Sequence, residues 1–421
     1  MFYGVTRYSL FSPGSQSWKT SGGGVFQSPA EYRDYLFSKE RLQLRAELFL
    51  TRSVPALATM AENHDYKHFI LYSELLPAEH QERLFAAAGQ YPFLIPVEWN
   101  EVVRGSGIEE VRPLIEQDLA AKIGAGEGVQ PVVWFRLDDD DVLAANYLTR
   151  LESYRTLAHV GMAVSFGLGL TAYKARRELV SLREYYHPKS AQGMAFIAAF
   201  NPRQRLLSIT TPGPHHGVDQ VMPVILDSRE HMFFQIRHGD QDSTLNASPY
   251  RRIAGSLARL EKLPSIRTAD VGAPKWPSLM EDLTRGEADF HELTAPGAEP
   301  LLFTEDTELT FPLDARIEAG LVEFELEFES AKDLAGGFAT ITFELRGAKP
   351  EDLGNLGLKN GRFGPGRQVW SRQARGVVKY SMLLPDGVSI SGITLRGKNK
   401  QPADVFIRLR APRVVEMAAV S

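Results

Sequence analysis

Hydrophobic periodicity changes once along this chain, near residue 300, and that change limits the fold more than any other feature. Before it, short apolar runs alternate with stretches of helical spacing. Phe2 to Thr6, His68 to Glu74, Phe93 to Val97 and Val132 to Phe135 read as strands. Helices are predicted between them over 30–63, with a break near Pro55, over 78–90 and over 107–124. Strands alternating with helices specify a parallel α/β sheet. From Leu301 onward apolar residues recur at every second position, in ELTFPL, LVEFELEFE, FATITFELRG, GVVKYSMLLP, ISGITLRGK and ADVFIRLR. Such runs, separated by turn residues, predict an antiparallel β-sandwich of jelly-roll type. The expected organisation is therefore an α/β domain over 1–263, a Pro-, Gly- and charge-rich linker with one short helix over 264–300, and a β-sandwich accessory domain over 301–421.

Within the first domain the later elements read as follows. Leu143 to His159 is helical, Met162 to Phe166 a strand, Gly167 to Gly169 a turn, and Met194 to Phe200 a strand. Met222 to Leu226 and His231 to His238, joined by Asp227 to Glu230, read as a hairpin. Tyr250 to Leu263 closes the domain as an amphipathic helix.

Composition narrows the classes of function. A length of 421 residues exceeds a usual single core. Net charge is −5 with no block of Lys and Arg, so nucleic acid is not an expected partner. Cysteine is absent, which excludes disulfides, thiolate metal sites and a cysteine nucleophile. No run approaches the roughly 18 apolar residues that span a bilayer. The N-terminal MFYGVTRYSLF lacks the basic start and long apolar core of a signal peptide. The default is a cytoplasmic protein. Peripheral membrane association and a homo-oligomer are both compatible with the sequence.

The sharpest local signal is Asp138-Asp139-Asp140-Asp141, directly after the apolar run Val132 to Phe135. Four adjacent carboxylates repel one another and lose heavily if buried unpaired. At the carboxyl end of an α/β strand, where ligand crevices form, a hard divalent cation with oxygen ligands is the natural compensation. Acids at a helix start, favoured by the helix dipole, are the plainer alternative. Arg7 ends the first strand and leads into the polar stretch SPGSQSWKTSGGG, the kind of place where α/β proteins hold phosphate. It is a candidate for binding a diphosphate or a base edge, or is a surface arginine.

Several short motifs carry a resemblance. They are Thr6-Arg7-Tyr8, Leu48-Phe49 followed by Val54-Pro55-Ala56-Leu57, Ser73-Glu74-Leu75-Leu76-Pro77, Arg136-Leu137-Asp138-Asp139-Asp140-Asp141 and His238-Gly239. Together they resemble the bacterial rhamnosyltransferase family, within the glycosyltransferases of GT-A fold. The resemblance covers about the first 250 residues. It implies an α/β, GT-A-like nucleotide-diphospho-sugar transferase domain ahead of the all-β sandwich. It also implies a metal-dependent sugar transfer, from a nucleotide-sugar donor such as dTDP-rhamnose to a glycan or other hydroxyl acceptor. The divalent metal would be Mn or Mg, held by Asp140 and Asp138 with Asp141 beside them, and His238 would add a third type of ligand. Asp138 would also reach the ribose, and Arg136 the base or the diphosphate.

If the anomeric centre inverts, a base must take the acceptor proton. Asp219 is the first candidate, with His216 and His215 beside it. Ser165, Gly167 and Gly169 would line the acceptor side. Two other readings stay open: a sugar-1-phosphate nucleotidyltransferase, and a non-catalytic carbohydrate-binding scaffold. The first usually needs a basic Gly-rich loop, and Gly22-Gly23-Gly24 has only Lys19 nearby. In the β domain, Trp370, Tyr380 and Phe406 are expected in the core, whereas exposed aromatics would mark a sugar platform.

Overall fold

A computed structural model describes residues 1–15, 26–100, 107–210, 215–241, 248–285, 292–293, 301–303, 307–330, 333–334, 336–371, 374–398 and 403–415. Most of the Ser- and Gly-rich stretch after β1, with Lys19 and Gly22 to Gly24, lies outside the described residues, as does Pro214. The chain packs as two compact units. One comprises 1–170, 185–236 and 272–279; the other comprises 171–184, 237–271 and 280–421. Segments 171–184 and 237–263, which the sequence assigns to the first domain, and the start of the expected linker, 264–271, thus pack with the C-terminal unit.

The first unit opens with β1 (Phe2–Arg7), α1 (Pro29–Leu36), α2 (Lys39–Leu48) and α3 (Val54–Ala61). There follow β2 (Tyr66–Tyr72), α4 (Ala78–Gln90), β3 (Leu94–Glu98), α5 (Ile108–Lys122) and β4 (Gln130–Arg136). As the alternation predicts, β3, β2, β1 and β4 lie side by side and parallel. Helix α5 turns Ile108, Val111, Ile115 and Leu119 to one face of the sheet, against Val5, Phe69 and Trp134. Each such buried aliphatic side chain contributes about 1.5–3 kcal/mol. The opposite face takes Leu42, Phe49, Val54 and Leu84, packed on Ile70 and Tyr72. Between α2 and α3 the helix widens into a single π turn, Phe49–Ser53. This turn, ending two residues before the break expected at Pro55, is what re-aims Ser53.

Beyond β4 the sequence reading fails in places. The acids are not followed at once by a helix. Asp141 already belongs to a short strand, β5 (Asp141–Leu143), and the only α-helix in the expected span is α6 (Tyr147–Glu152). β6 (Ala163–Phe166) is separated from β7 (Leu168–Lys174) by Gly167 alone, so Gly167 to Gly169 is not a turn. Gly169 sits within the strand, where a Cβ would lie 2.4 Å from the Phe233 ring. β8 (Leu179–Tyr186) was not foreseen. β9 (Ala195–Asn201) extends the sheet antiparallel to β4 and β6, with β10 (Leu206–Ser208) on its flank.

The hairpin expected over 222–238 is absent. β11 (Val224–Asp227) runs parallel to β6, and β12 (Phe233–Arg237) pairs antiparallel with β5. Asp227 explains the divergence: its carboxylate is locked by Arg150, Tyr154 and Arg229 at 2.8 Å each, which fixes the bend instead of a tight turn.

The second unit adds α7 (Pro249–Leu260), α8 (Met280–Arg285), β13 (Glu292–Leu293), β14 (Leu301–Phe303), β15 (Glu308–Ser330) and β16 (Gly336–Arg346). It ends with α9 (Pro350–Asn355), β17 (Lys359–Gly361), β18 (Gly364–Ser371), β19 (Arg375–Gly397) and β20 (Ala403–Val415). All pairings among its strands are antiparallel, in the order β13, β20, β15, β19, β16, β18, β17, with β14 also on β20. Two pairs of runs that read as separate strands are each one 23-residue strand. Pro385-Asp386-Gly387 reads as a turn but is a bulge, since Gly320 pairs with Leu384 and Glu318 with Ser389. Tyr380 lies in the core as expected, next to Phe324. Trp370 does not: it is 52% exposed, because on β18 it follows buried Val369 and so faces outward. The side chain of Phe406 lies outside the described residues.

Candidate active site

The acid run occupies the turn between β4 and β5, closed by the Asp141 N–H donating to the Asp138 carbonyl at 3.2 Å. Burial alternates along it: Asp139 and Asp141 are buried, while Asp138 and Asp140 face partly outward. Arginines from three elements meet these carboxylates. Arg7 and Arg136 stand 3.7 and 3.6 Å from Asp138. Arg45, on α2, reaches Asp139 at 2.5 Å and Asp140 at 2.9 Å. Burial, then the nearby Arg136 charge, brings the Arg7 guanidinium down to about 10, with Asp138 and Asp139 opposing the fall. It stays protonated at neutral pH.

Compensation is incomplete. Burial pushes the Asp139 carboxyl up despite Arg45. Asp141 is pushed well above the ordinary carboxylate range by burial first, then by Asp140 and Asp138, with a Gln192 hydrogen bond opposing. The run thus holds more negative charge than its surroundings favour.

The backbone beneath the run is pinned from inside the sheet. The Thr6 hydroxyl donates to the Leu137 carbonyl at 2.9 Å, so its oxygen must accept from His68 Nε2 at 2.8 Å. Burial lowers His68 to about 3, leaving it neutral, and its Nδ1 then accepts the Tyr66 hydroxyl at 2.5 Å. Gly4 makes room for this relay: a Cβ there would lie 2.2 Å from His68 Nδ1. From the other side Ser53, at the end of the π turn, donates to the Asp141 carbonyl at 2.5 Å. Arg45, Ser53 and His68 escaped the sequence reading. Only Arg41 and Arg45, four apart on an otherwise apolar helix face, offered a signal.

A second cluster gathers residues proposed for the acceptor side. Its hub is Lys189, a non-glycine residue with φ of +58°. The Lys189 N–H donates to Ser165 Oγ at 2.8 Å, its carbonyl lies 2.7 Å from His215 Nδ1, and its ammonium pairs with Asp219 at 2.8 Å. Non-glycine residues held at positive φ concentrate at functional sites. A carbonyl only accepts, so His215 Nδ1 carries the proton and Nε2 presents a lone pair. Burial lowers the His215 pKa, with Arg136 and His216 acting in the same direction and Asp138 against them. His215 therefore shares an electrostatic neighbourhood with Arg136 and Asp138. His216 is exposed, its ring edge-on to His215. Asp219 is exposed, and the hydrogen bond from Lys189 lowers its pKa. Gly167 lies close by, bonded through its carbonyl to the His187 N–H. His238 belongs to the second unit, where it is buried and its Nδ1 accepts the Asp240 N–H at 3.2 Å.

Among the described residues no group of three or more His, Asp or Glu side chains is arranged to hold a metal unaided. The partly exposed carboxylates of Asp138 and Asp140 nevertheless match the demand of a small hard cation. Such an ion takes one or two carboxylates and completes its shell with substrate phosphate and water. The residues fit a metal that arrives with a diphosphate.

No curated protein matches the sequence. Among solved structures, TarS 1–349 from S. aureus, in complex with UDP-GlcNAc, is 9% identical with a TM-score of 0.26, over 62% of this chain and 65% of that one. A nucleoside-diphosphate-sugar pyrophosphorylase from Vibrio cholerae RC9 is 11% identical with a TM-score of 0.22, over 56% of this chain and 92% of that one. This chain thus spans just under two thirds of the TarS fragment, and TM-scores this low carry no argument. The family described as "Putative rhamnosyl transferase" matches residues 1–249, the stretch that contains β1, the acid run and the Lys189 cluster. With more than half of its length matched, the chain belongs to that rhamnosyl transferase family.

Proposed function

We propose that the first unit transfers a sugar, rhamnose by its family, from a nucleotide diphosphate donor to a hydroxyl of a glycan acceptor. The observation that carries this reading is the acid run at the carboxyl end of β4, under-compensated although Arg7, Arg45 and Arg136 surround it. Parallel strands on one side and the antiparallel β9 on the other support a GT-A-type sheet. In such a site Asp138 and Asp140 would hold Mn or Mg, which when bound neutralises charge on the departing diphosphate. Arg7 and Arg136, at the same strand ends, would bind diphosphate oxygens by charge-assisted hydrogen bonds. Asp141, buried and tied to Gln192, and His238 are not needed as ligands for this reading.

For an inverting transfer the base is better supplied by His215 than by Asp219 or His216. Its Nε2 has a lone pair fixed by the Nδ1 bond to Lys189. It would take the acceptor hydroxyl proton as the acceptor oxygen bonds to the anomeric carbon, and the leaving electron pair goes to the diphosphate. Asp219 is already committed to Lys189.

Thermal-shift titration with dTDP-rhamnose and other nucleotide sugars, with and without manganese, tests the proposal. Wild-type protein should be stabilised by one donor only when manganese is present, and Asp140→Ala should lose that shift while melting normally without ligand. An unchanged donor shift in Asp140→Ala would remove the metal from the reading. Stabilisation by a nucleoside triphosphate and a sugar phosphate instead would favour a nucleotidyltransferase.

A further inference from the structure

The second unit presents a sheet face on which an exposed aromatic ring adjoins a row of polar side chains, and we infer that this face binds a carbohydrate chain. This rests on the glycan acceptor proposed above and gives that acceptor a second foothold. The cross-strand register puts Gln368, Thr340, Arg396 and Glu308 opposite one another on β18, β16, β19 and β15. The row is roughly 14 Å across at ordinary strand spacing. Trp370 lies two residues beyond Gln368 on the same face, 52% exposed, and its cross-strand partner is Gly337. With no side chain at Gly336 or Gly337, the indole can lie across the backbone. A Cβ at Gly336 would come 3.2 Å from the indole Nε1, and one at Gly337 3.4 Å from Gln368 Oε1. Within the row Phe363, 55% exposed, stacks on the Arg396 guanidinium at 4.8 Å.

The chemistry of the face selects its occupant. Arg396 is neutralised by two hydrogen bonds to Glu308, at 2.8 and 3.0 Å, so the row does not call for an anion. Its accessible groups are an amide, a hydroxyl and a carboxylate, with few aliphatic carbons, unlike the apolar centre of a protein interface; the Arg396 guanidinium, 18% exposed and also bonded to Thr342 Oγ1 at 2.9 Å, holds the carboxylate in place. A pyranose offers an apolar C–H face to the indole and, at its rim, hydroxyls that both donate and accept. The row supplies matching acceptors and donors. The opposite face of the same strands is filled by Ile341, Val369, Ile393 and Leu395, so only this face is available.

Affinity electrophoresis of the full chain through gels containing a rhamnose-rich bacterial polysaccharide tests the inference, with mannan and cellulose oligosaccharides as comparison ligands. Wild-type protein should be retarded by one of them. Trp370→Ala should weaken that retention at least about tenfold, and Trp370→Phe should restore part of it. The manganese-dependent donor shift should be unchanged in both variants, which separates this surface from the transfer site. Retention with no donor shift would overturn the transferase reading and leave this one standing. Failure of all three glycans to retard the wild type would overturn the inference. So would equal retention of Trp370→Ala, or a fall in oligomeric mass in that variant, which would show that a second copy covers the face.

Discussion

In the second unit Glu323 and Glu325 are buried and the Glu261 side chain is 7% exposed, beside Arg183, Arg367 and Lys379; in the first, Asp138 to Asp141 share Arg7, Arg45 and Arg136. The contrast lies in where the charges come from. Around Glu261 they arrive from distant segments and alternate in sign. One of its oxygens accepts from Arg183 at 3.0 Å and the Ser381 N–H at 2.8 Å, the other from Arg367 at 2.6 Å. Glu323 accepts the Ser181 N–H at 2.6 Å and the Ser381 hydroxyl at 3.2 Å. The aspartates are neighbours in the chain and cannot spread apart. Burial and mutual repulsion push Asp139 up although Arg45 touches it, and push Asp141 well above the usual carboxylate range. Balanced networks of this kind hold a structure in register. A repelling cluster at a strand end leaves room for a cation to be favourable.

The largest expected effect breaks the balanced side. Glu261→Ala strips two buried guanidinium groups of their carboxylate and should cost about 3–5 kcal/mol in urea unfolding. A loss below about 1 kcal/mol would mean that Arg183 and Arg367 find other partners and that the network is dispensable. Next comes Arg45→Met. It leaves Asp139 buried without its 2.5 Å partner and should cost roughly 3 kcal/mol. Adding Asp139→Asn should recover more than half of that, because the uncompensated charge is gone. Simple additivity in this cycle would show that Arg45 acts through packing alone, and the contrast between the units would lose its electrostatic basis.

How far this contrast could be read from sequence depends on how local each signal is. The acid run was legible because its four members are consecutive and follow an apolar strand. The parallel order of β1 to β4 was legible for the same kind of reason, since strand-and-helix alternation is a local pattern with one common solution. The Glu261 network was not legible: Arg183 and Lys379 stand 196 residues apart, and nothing local distinguishes Glu323 or Glu325 from the outward-facing acids of an alternating strand. The π turn that aims Ser53, and the His68 relay under Leu137, are set by tertiary packing and leave no spacing to count. Trp370 was misplaced because alternation gives the period of a strand but not which face is buried. The expected hairpin over 222–238 failed since Asp227, which resembles a turn residue, is instead the anchor for Arg150, Tyr154 and Arg229.

Smaller effects sharpen the other side of the comparison. The Asp141 carboxyl is raised in the folded chain, so its ionised form is held less favourably there than in the unfolded chain. As pH rises past the ordinary carboxylate range of about 4, that penalty grows, and above the raised folded value it is constant. Asp141→Asn removes it. The variant should therefore be more stable than wild type by on the order of 1 kcal/mol at neutral pH, with a melting-temperature difference that shrinks toward zero near pH 4. A difference independent of pH would assign the gain to packing. Asp219→Asn should do least. Its carboxylate is exposed and is lowered by Lys189, so ionic screening leaves little for the pair to contribute. The melting temperature should not move, and sugar transfer should stay within about twofold of wild type, whereas loss of a true base costs about 10²–10⁴-fold. His215→Gln, compared in the same assay, decides the assignment: collapse of transfer in Asp219→Asn with activity kept in His215→Gln would return the base to the aspartate and reduce the Lys189 carbonyl bond to scaffolding.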